Sequence, residues 1–266
     1  MNNIILHGLK SNYKSLIGWI IGIVVWSILM LSMFPAFIDA GDQILKLIEG
    51  FPPELLKSLG FNREIFTTFD GFYSYIATYS FLIMAMYAAY SGIKIFAEDN
   101  KFKTNDFLYT KPISRTKVFF SKLVSGLYLN TIMLVTYIAF IQLGTYLFYG
   151  SDADLLLLFK INTSAIGIVY FTYFFSILLG TVLTNVRSYV SVAMPIGLIF
   201  FILDIFAILV DKPFLAYFTL FGMFNKTTMF NTGSFETKYV VVAIILMIIF
   251  VVLAYLKEKT KDVKGI

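Results

Sequence analysis

Residues 239–256 read YVVVAIILMIIFVVLAYL, a block with no charged residue, glycine or proline. As a helix it covers about 27 Å at 1.5 Å per residue, close to the roughly 30 Å hydrocarbon core of a bilayer. Lipid cannot satisfy backbone polar groups, so a helix is the expected form. A closed barrel would show weak alternation of apolar and polar positions, and this block shows none. Five further blocks read the same way: 16–37, 72–96, 123–148, 162–183 and 190–210. The sequence therefore predicts an all-α integral membrane protein, with six transmembrane helices in a single domain over residues 1–266.

Composition agrees. Hydrophobic residues make up 59% of the chain and charged residues 14%, whereas soluble domains carry about 25% charged residues. There is no cysteine, which excludes disulfides and thiolate metal sites. His7 is the only histidine, so no histidine-based metal site is expected. The first apolar run begins after Lys14 and lacks a small-x-small cleavage pattern, so it is expected to be a retained span.

The positive-inside rule orients the chain. With the N-terminus inside, 14 of the 21 basic residues fall on inner segments, among them Lys10, Lys14, Lys94, Lys117, Lys122, Arg187, Lys257 and Lys259. Both termini are expected to be cytoplasmic in a bacterial cell membrane. The basic charge is thus a topology signal. Nucleic-acid binding is not expected, because the charge is not collected on one soluble domain. The first dozen residues mix apolar and basic positions and are read as an interfacial helix. The outer loop after the first span carries ILKLIEGF and PELLKSLGF around Pro52-Pro53, two short amphipathic helices broken by the prolines.

The largest inner segment is 97–117, containing EDNKFKTNDFLYTKPISR at 98–115. Phe102, Phe107 and Leu108 give a short helix an apolar face inside a charged rim, a shape suited to a groove on a soluble partner. Pro112 would end that helix, and Ser114 could cap the next. On these residues alone an ordinary positive-inside loop stays equally open. The segment resembles the conserved cytoplasmic region of type-2 ABC-transporter permeases. Glu98 matches the acidic position, Thr104 the threonine, Phe107-Leu108 the apolar pair and Pro112-Ile113-Ser114-Arg115 the closing tetrapeptide, while Lys122 stands where a lysine often enters the third span. Lys103 departs from the glycine usual there. The resemblance implies a coupling helix docking on a cytoplasmic ABC ATPase, which would bind the ATP and magnesium. It also implies a second permease, either another copy or a paralogue. In that family the first and fifth spans meet the second permease, which makes Gly18, Gly22 and Pro195 interface candidates.

No phosphate-binding loop, nucleophile elbow or zinc-protease motif is present, so the chain itself is expected to be non-catalytic and to hold no cofactor. Asp204 is the only acidic residue inside an expected span. A carboxylate at mid-helix costs about 2.5–3.5 kcal/mol on insertion scales, so it should face protein or water. It reads either as a cation or proton site or, preferred, as a carboxylate bonded to a neighbour or hydrated from outside. Tyr75, Tyr79 and Tyr90 fall on one helical stripe that could line a cargo path; helix packing is the plainer reading. The function expected is the permease subunit of an ATP-driven exporter of a hydrophobic or amphipathic cargo, such as an antimicrobial or toxic peptide, a lipid-like molecule or a drug. The alternatives are an ion-coupled transporter or channel using Asp204, or a non-transporting sensor or immunity protein.

Overall fold

The computed structural model describes residues 2–48, 50–59, 61, 65, 67–102, 114–150, 153–183, 186–210 and 212–260. The long helices are α1 (Asn2–Ser32), α5 (Phe69–Phe102), α6 (Arg115–Tyr149), α7 (Leu155–Val182), α8 (Tyr189–Val210) and α11 (Thr237–Lys259). All six are long and apolar enough to cross a membrane. The protein is an all-α membrane protein. Between α1 and α5 lie α2 (Phe34–Asp39), α3 (Gly41–Ile48) and α4 (Pro53–Ser58), the last two in the amphipathic stretches either side of the Pro52-Pro53 pair. Between α8 and α11 lie a 3-10 helix (Pro213–Phe218), α9 (Leu220–Met223) and α10 (Lys226–Thr232).

The helices overrun the apolar blocks that mark them. At 1.5 Å per residue, α5 and α6 are about 50 Å long, well beyond a 30 Å core. Their ends therefore stand outside the lipid, where charged residues such as Glu98 and Arg115 can stay hydrated. The N-terminal segment is helical as expected, but it joins the first span without a break. No proline interrupts it, and it packs on α6 instead of lying free. Ser125 on α6 donates to the Ile5 carbonyl at 3.3 Å, and a Cβ placed on Gly8 would come within 2.9 Å of the Ser125 side chain.

α5 is the central helix. Of its most apolar window 83% is buried, against 11% for α8 and 17% for α11. Its principal partner is α7, and α8 packs on its other side, while α1 lies mainly on α6 and α11 mainly on α7. The α5–α7 approach is set by glycines. A Cβ on Gly92 would meet Ser176 Cβ at 2.9 Å and the Tyr173 carbonyl at 3.0 Å. One on Gly180 would meet Phe96 Cβ at 3.0 Å and the Gly92 carbonyl at 3.1 Å. Small residues that let backbones touch are the usual means of holding helices in lipid, where no hydrophobic force pulls them together.

Side-chain hydrogen bonds tie α5, α6 and α7 together. Asn130 of α6 donates to Ser91 Oγ of α5 at 2.9 Å. Asn162 of α7 donates to Tyr73 Oη of α5 at 2.6 Å, and Tyr173 of α7 donates to the Leu123 carbonyl of α6 at 2.8 Å. All of these side chains are buried. Outside this core, α8 and α11 expose Ile199, Ile202, Phe206, Ile245, Ile248 and Val252, the surface a bilayer would cover.

Gly92→Val should lower the thermal unfolding midpoint in detergent, because the facing α7 backbone must move; overpacking of this kind costs about 1–3 kcal/mol. Gly18→Val, where an added Cβ meets nothing within 4 Å, should leave the midpoint of the isolated chain nearly unchanged.

Candidate functional site

At one end of the bundle, α5 delivers Glu98, which is half-buried, and α6 begins at Arg115. Ser114 is the N-cap of α6: its backbone is extended and its hydroxyl accepts from the Lys117 N–H at 3.3 Å. Arg115 reaches across to α11 and donates from Nη1 to the Lys259 carbonyl at 2.9 Å. Thr104, Phe107, Leu108 and Pro112, the rest of the expected coupling set, lie outside the described residues.

Along α5 the tyrosine stripe faces α1 and α8. Tyr79 sits between Trp26 of α1 and Phe201 of α8, with ring centroids 6.4 and 6.1 Å away. Tyr75 contacts Tyr79 at 5.1 Å and Phe61 at 5.2 Å. Tyr90 lies 6.2 Å from Trp19 and carries the Lys94 ammonium 5.7 Å from its ring. None of the three lines the cavities around Asp204. Gly18 and Gly22 on α1 are exposed with open space around them, and Pro195 on α8 is exposed.

The most built-up polar site lies at the other end, around Asp204. The α8–α11 connection folds back against the bundle and brings Thr219 beside α8, where its hydroxyl donates to Asp204 Oδ1 at 3.1 Å. Gly222 is required there, since a Cβ would strike Thr219 Oγ1 and lie 3.2 Å from Asp204 Oδ1. Asn225 then caps α10, accepting from the Thr227 and Thr228 N–H groups at 2.8 and 3.1 Å. The next residue, Lys226, points back to α5 and donates to Ser74 Oγ at 3.2 Å. Gly233 closes α10 in the left-handed region at φ 70°.

Two cavities meet at Asp204 and Asn225. The larger, about 170 Å³, is also bordered by Lys212, Thr219, Glu236 and Tyr239. The smaller, about 60 Å³, reaches Lys226, Thr78 and Phe81. Lys226 keeps some exposure as a residue, but its ammonium sits among protein atoms. Dehydration lowers its pKa to about 8, and the Asp204 carboxylate opposes the fall. The two opposite charges act on each other across the smaller cavity while each bonds a neutral hydroxyl. Such a site can hold water, or a polar group of a ligand, between fixed charges of both signs. Asp204 is visible in the sequence as a lone acid in an apolar block. Lys226, Thr219 and Ser74 are not, because only the folded-back connection brings them beside it.

Comparison with known families bears on the whole chain. Residues 8–257 match the family described as multidrug efflux system permease Rv1217c, C-terminal domain. The chain belongs to this family. Comparison with curated proteins returns no match. Membership makes the protein a transport permease. Among the described residues no group of three or more histidine, cysteine, aspartate or glutamate side chains is placed to hold a metal ion.

A lysine with a lowered pKa is better tolerated in its neutral form. Stability of this permease should therefore rise as pH climbs from about 8 toward 10.5, the ordinary lysine value, where the solvated group still binds a proton that the folded one has lost. Lys226→Met should reduce that rise when thermal unfolding is followed across the same pH window.

Proposed function

We propose that this efflux permease is the membrane subunit of an ATP-driven exporter, paired with a second permease chain and with cytoplasmic ABC ATPase subunits that bind ATP and magnesium. The observation that carries the reading is the charged segment 98–115, set between the second and third apolar blocks and ending in Pro112-Ile113-Ser114-Arg115. It sits on the inner side in the orientation set by the basic residues. ATP binding and hydrolysis by the partner move this segment, and the movement changes which side of the membrane the permease opens toward. ATP hydrolysis belongs to the partner, since the sequence of this chain has no phosphate-binding loop. Membership of a multidrug efflux family supports export. The cargo is hydrophobic or amphipathic, because charge within the spans is scarce: a drug, a lipid-like molecule or a membrane-active peptide. Gly18, Gly22 and Pro195 present open, exposed positions on α1 and α8, and a second permease packs there. The protein sits in a bacterial cell membrane with both termini in the cytoplasm.

A second reading, transport driven by an ion gradient through Asp204, draws on the cavity at that residue. The two readings part on a single set of variants. Under the exporter reading the chain co-purifies with an ATPase in mild detergent, and vesicles containing both take up dye-like amphiphiles only with ATP. Phe107→Asp or Leu108→Asp then lowers transport per ATP by about ten-fold, as loss of an interface anchor does, and Asp204→Asn has a mild effect. Uptake by the lone permease without nucleotide, abolished by Asp204→Asn, would establish the second reading instead.

A further inference from the structure

We propose that α11 is a rigid rod that carries movement from the inner segment to the Asp204 cavity, gripped at its inner end by a strap centred on Tyr255. The inference rests on the proposed coupling role of segment 98–115. It concerns how a push on that segment travels through the permease.

Four contacts make the strap. Thr116, Phe119 and Phe120 occupy one face of the first turns of α6. The Thr116 hydroxyl and the Tyr255 Oη of α11 share a hydrogen bond at 3.0 Å. The Tyr255 ring packs edge-on against Phe119 at 5.4 Å and tilted over Phe120 at 5.9 Å. Arg115 adds its bond to the Lys259 carbonyl, which is among the last of the helix and has no partner within it. Phe119 in turn packs on Phe96 of α5 at 5.3 Å, and the Lys122 ammonium lies 5.5 Å from the Phe96 ring. Residues 103–113 join α5 to α6, so a displacement of that segment reaches Phe102 on one side and Ser114 and Arg115 on the other. The strap hands it to α11.

The far end of α11 meets the cavity. Tyr239, in its first turn, borders the larger cavity together with Glu236, the N-cap of the helix. Tyr239 also packs on Tyr217 of the folded-back connection at 4.7 Å. Between Tyr239 and Tyr255 the sequence holds no glycine or proline, the residues at which helices kink. The middle of α11 packs on α7 through Phe250, 5.6 and 5.4 Å from the Phe171 and Phe175 rings, and most of the rest faces lipid, so α11 can tilt about that contact as one body.

The chain lacks cysteine, so a single reporter can be attached at T237C, an exposed position beside the cavity. The labelled permease is reconstituted with its ATPase, and the reporter signal, ATP hydrolysis and transport are read together. The labelled protein should show an ATP-driven signal change. Tyr255→Ala should cut that change and transport per ATP by about five-fold, within the range by which single side chains alter coupling, while hydrolysis continues. Tyr255→Phe, which keeps the ring, should retain most of both. Thr116→Val should match Tyr255→Phe, and the double variant should lose no more than either alone. Where Tyr255→Ala reduces folded yield, Tyr255→Leu, which removes the aromatic ring and hydroxyl but keeps apolar bulk, replaces it and should show the same loss. A full signal in folded Tyr255→Ala overturns the proposal, as does a silent reporter in a complex that transports. If the labelled permease neither binds an ATPase nor transports with ATP, the exporter reading falls first and the rod falls with it.

Discussion

Backbone contact between α5 and α7 is the constraint from which the rest of the bundle is built. In water, burial of apolar surface would draw these helices together. In lipid it does not, because the hydrocarbon is as apolar as the side chains. What remains is dispersion at close range and hydrogen bonds that lipid cannot supply. Gly92 and Gly180 allow the first, by leaving no Cβ between the two backbones. The buried bonds from Asn130, Asn162 and Tyr173 provide the second and join α6 to the pair. The other spans attach to this three-helix core, which explains why α5 is almost wholly buried while α8 and α11 are mostly exposed.

The two ends of the core differ in chemistry. At the Arg115 end, the contacts are aromatic rings and a guanidinium on a helix terminus, arranged between helices that project beyond the lipid. At the Asp204 end, a folded-back connection inserts short helices whose caps and hydroxyls surround a carboxylate and a dehydrated ammonium. Among the described residues the second end contains open space. Under the proposed exporter reading, the aromatic contacts at the first end transmit displacement and the cavity at the second accommodates it.

Much of the architecture was legible from residue types alone. The six apolar blocks correspond to six long helices, and the Ser114 cap and the short helices around Pro52-Pro53 stand where their residues predicted. The helix contacts were less legible. The small-xxx-small pair Gly18 and Gly22 looks in sequence like a site of close approach, yet among the described residues an added Cβ there meets nothing within 4 Å. Ala88-xxx-Gly92 and Ser176-xxx-Gly180 carry the same pattern and do bring two backbones together, so the pattern alone does not say which pair is buried. The α8–α11 connection read only as aromatic and polar, and it supplies Thr219 and Lys226 to the Asp204 site. Tyr255 read as the end of an apolar block, and it holds α11 to α6.

By itself, the sequence determined that the chain is helical and lies in a membrane, how many times it crosses, and where its charge concentrates. Each of these is set over about 20 contiguous residues by hydropathy and backbone hydrogen bonding, with no reference to distant parts of the chain. Only the tertiary structure decided which face of each helix is core and which polar residues share a site. In a soluble helix an apolar stripe marks the buried side. Here the lipid-facing side is as apolar as the packed side, so the pattern that would reveal the contacts is absent, and close packing alone selects them.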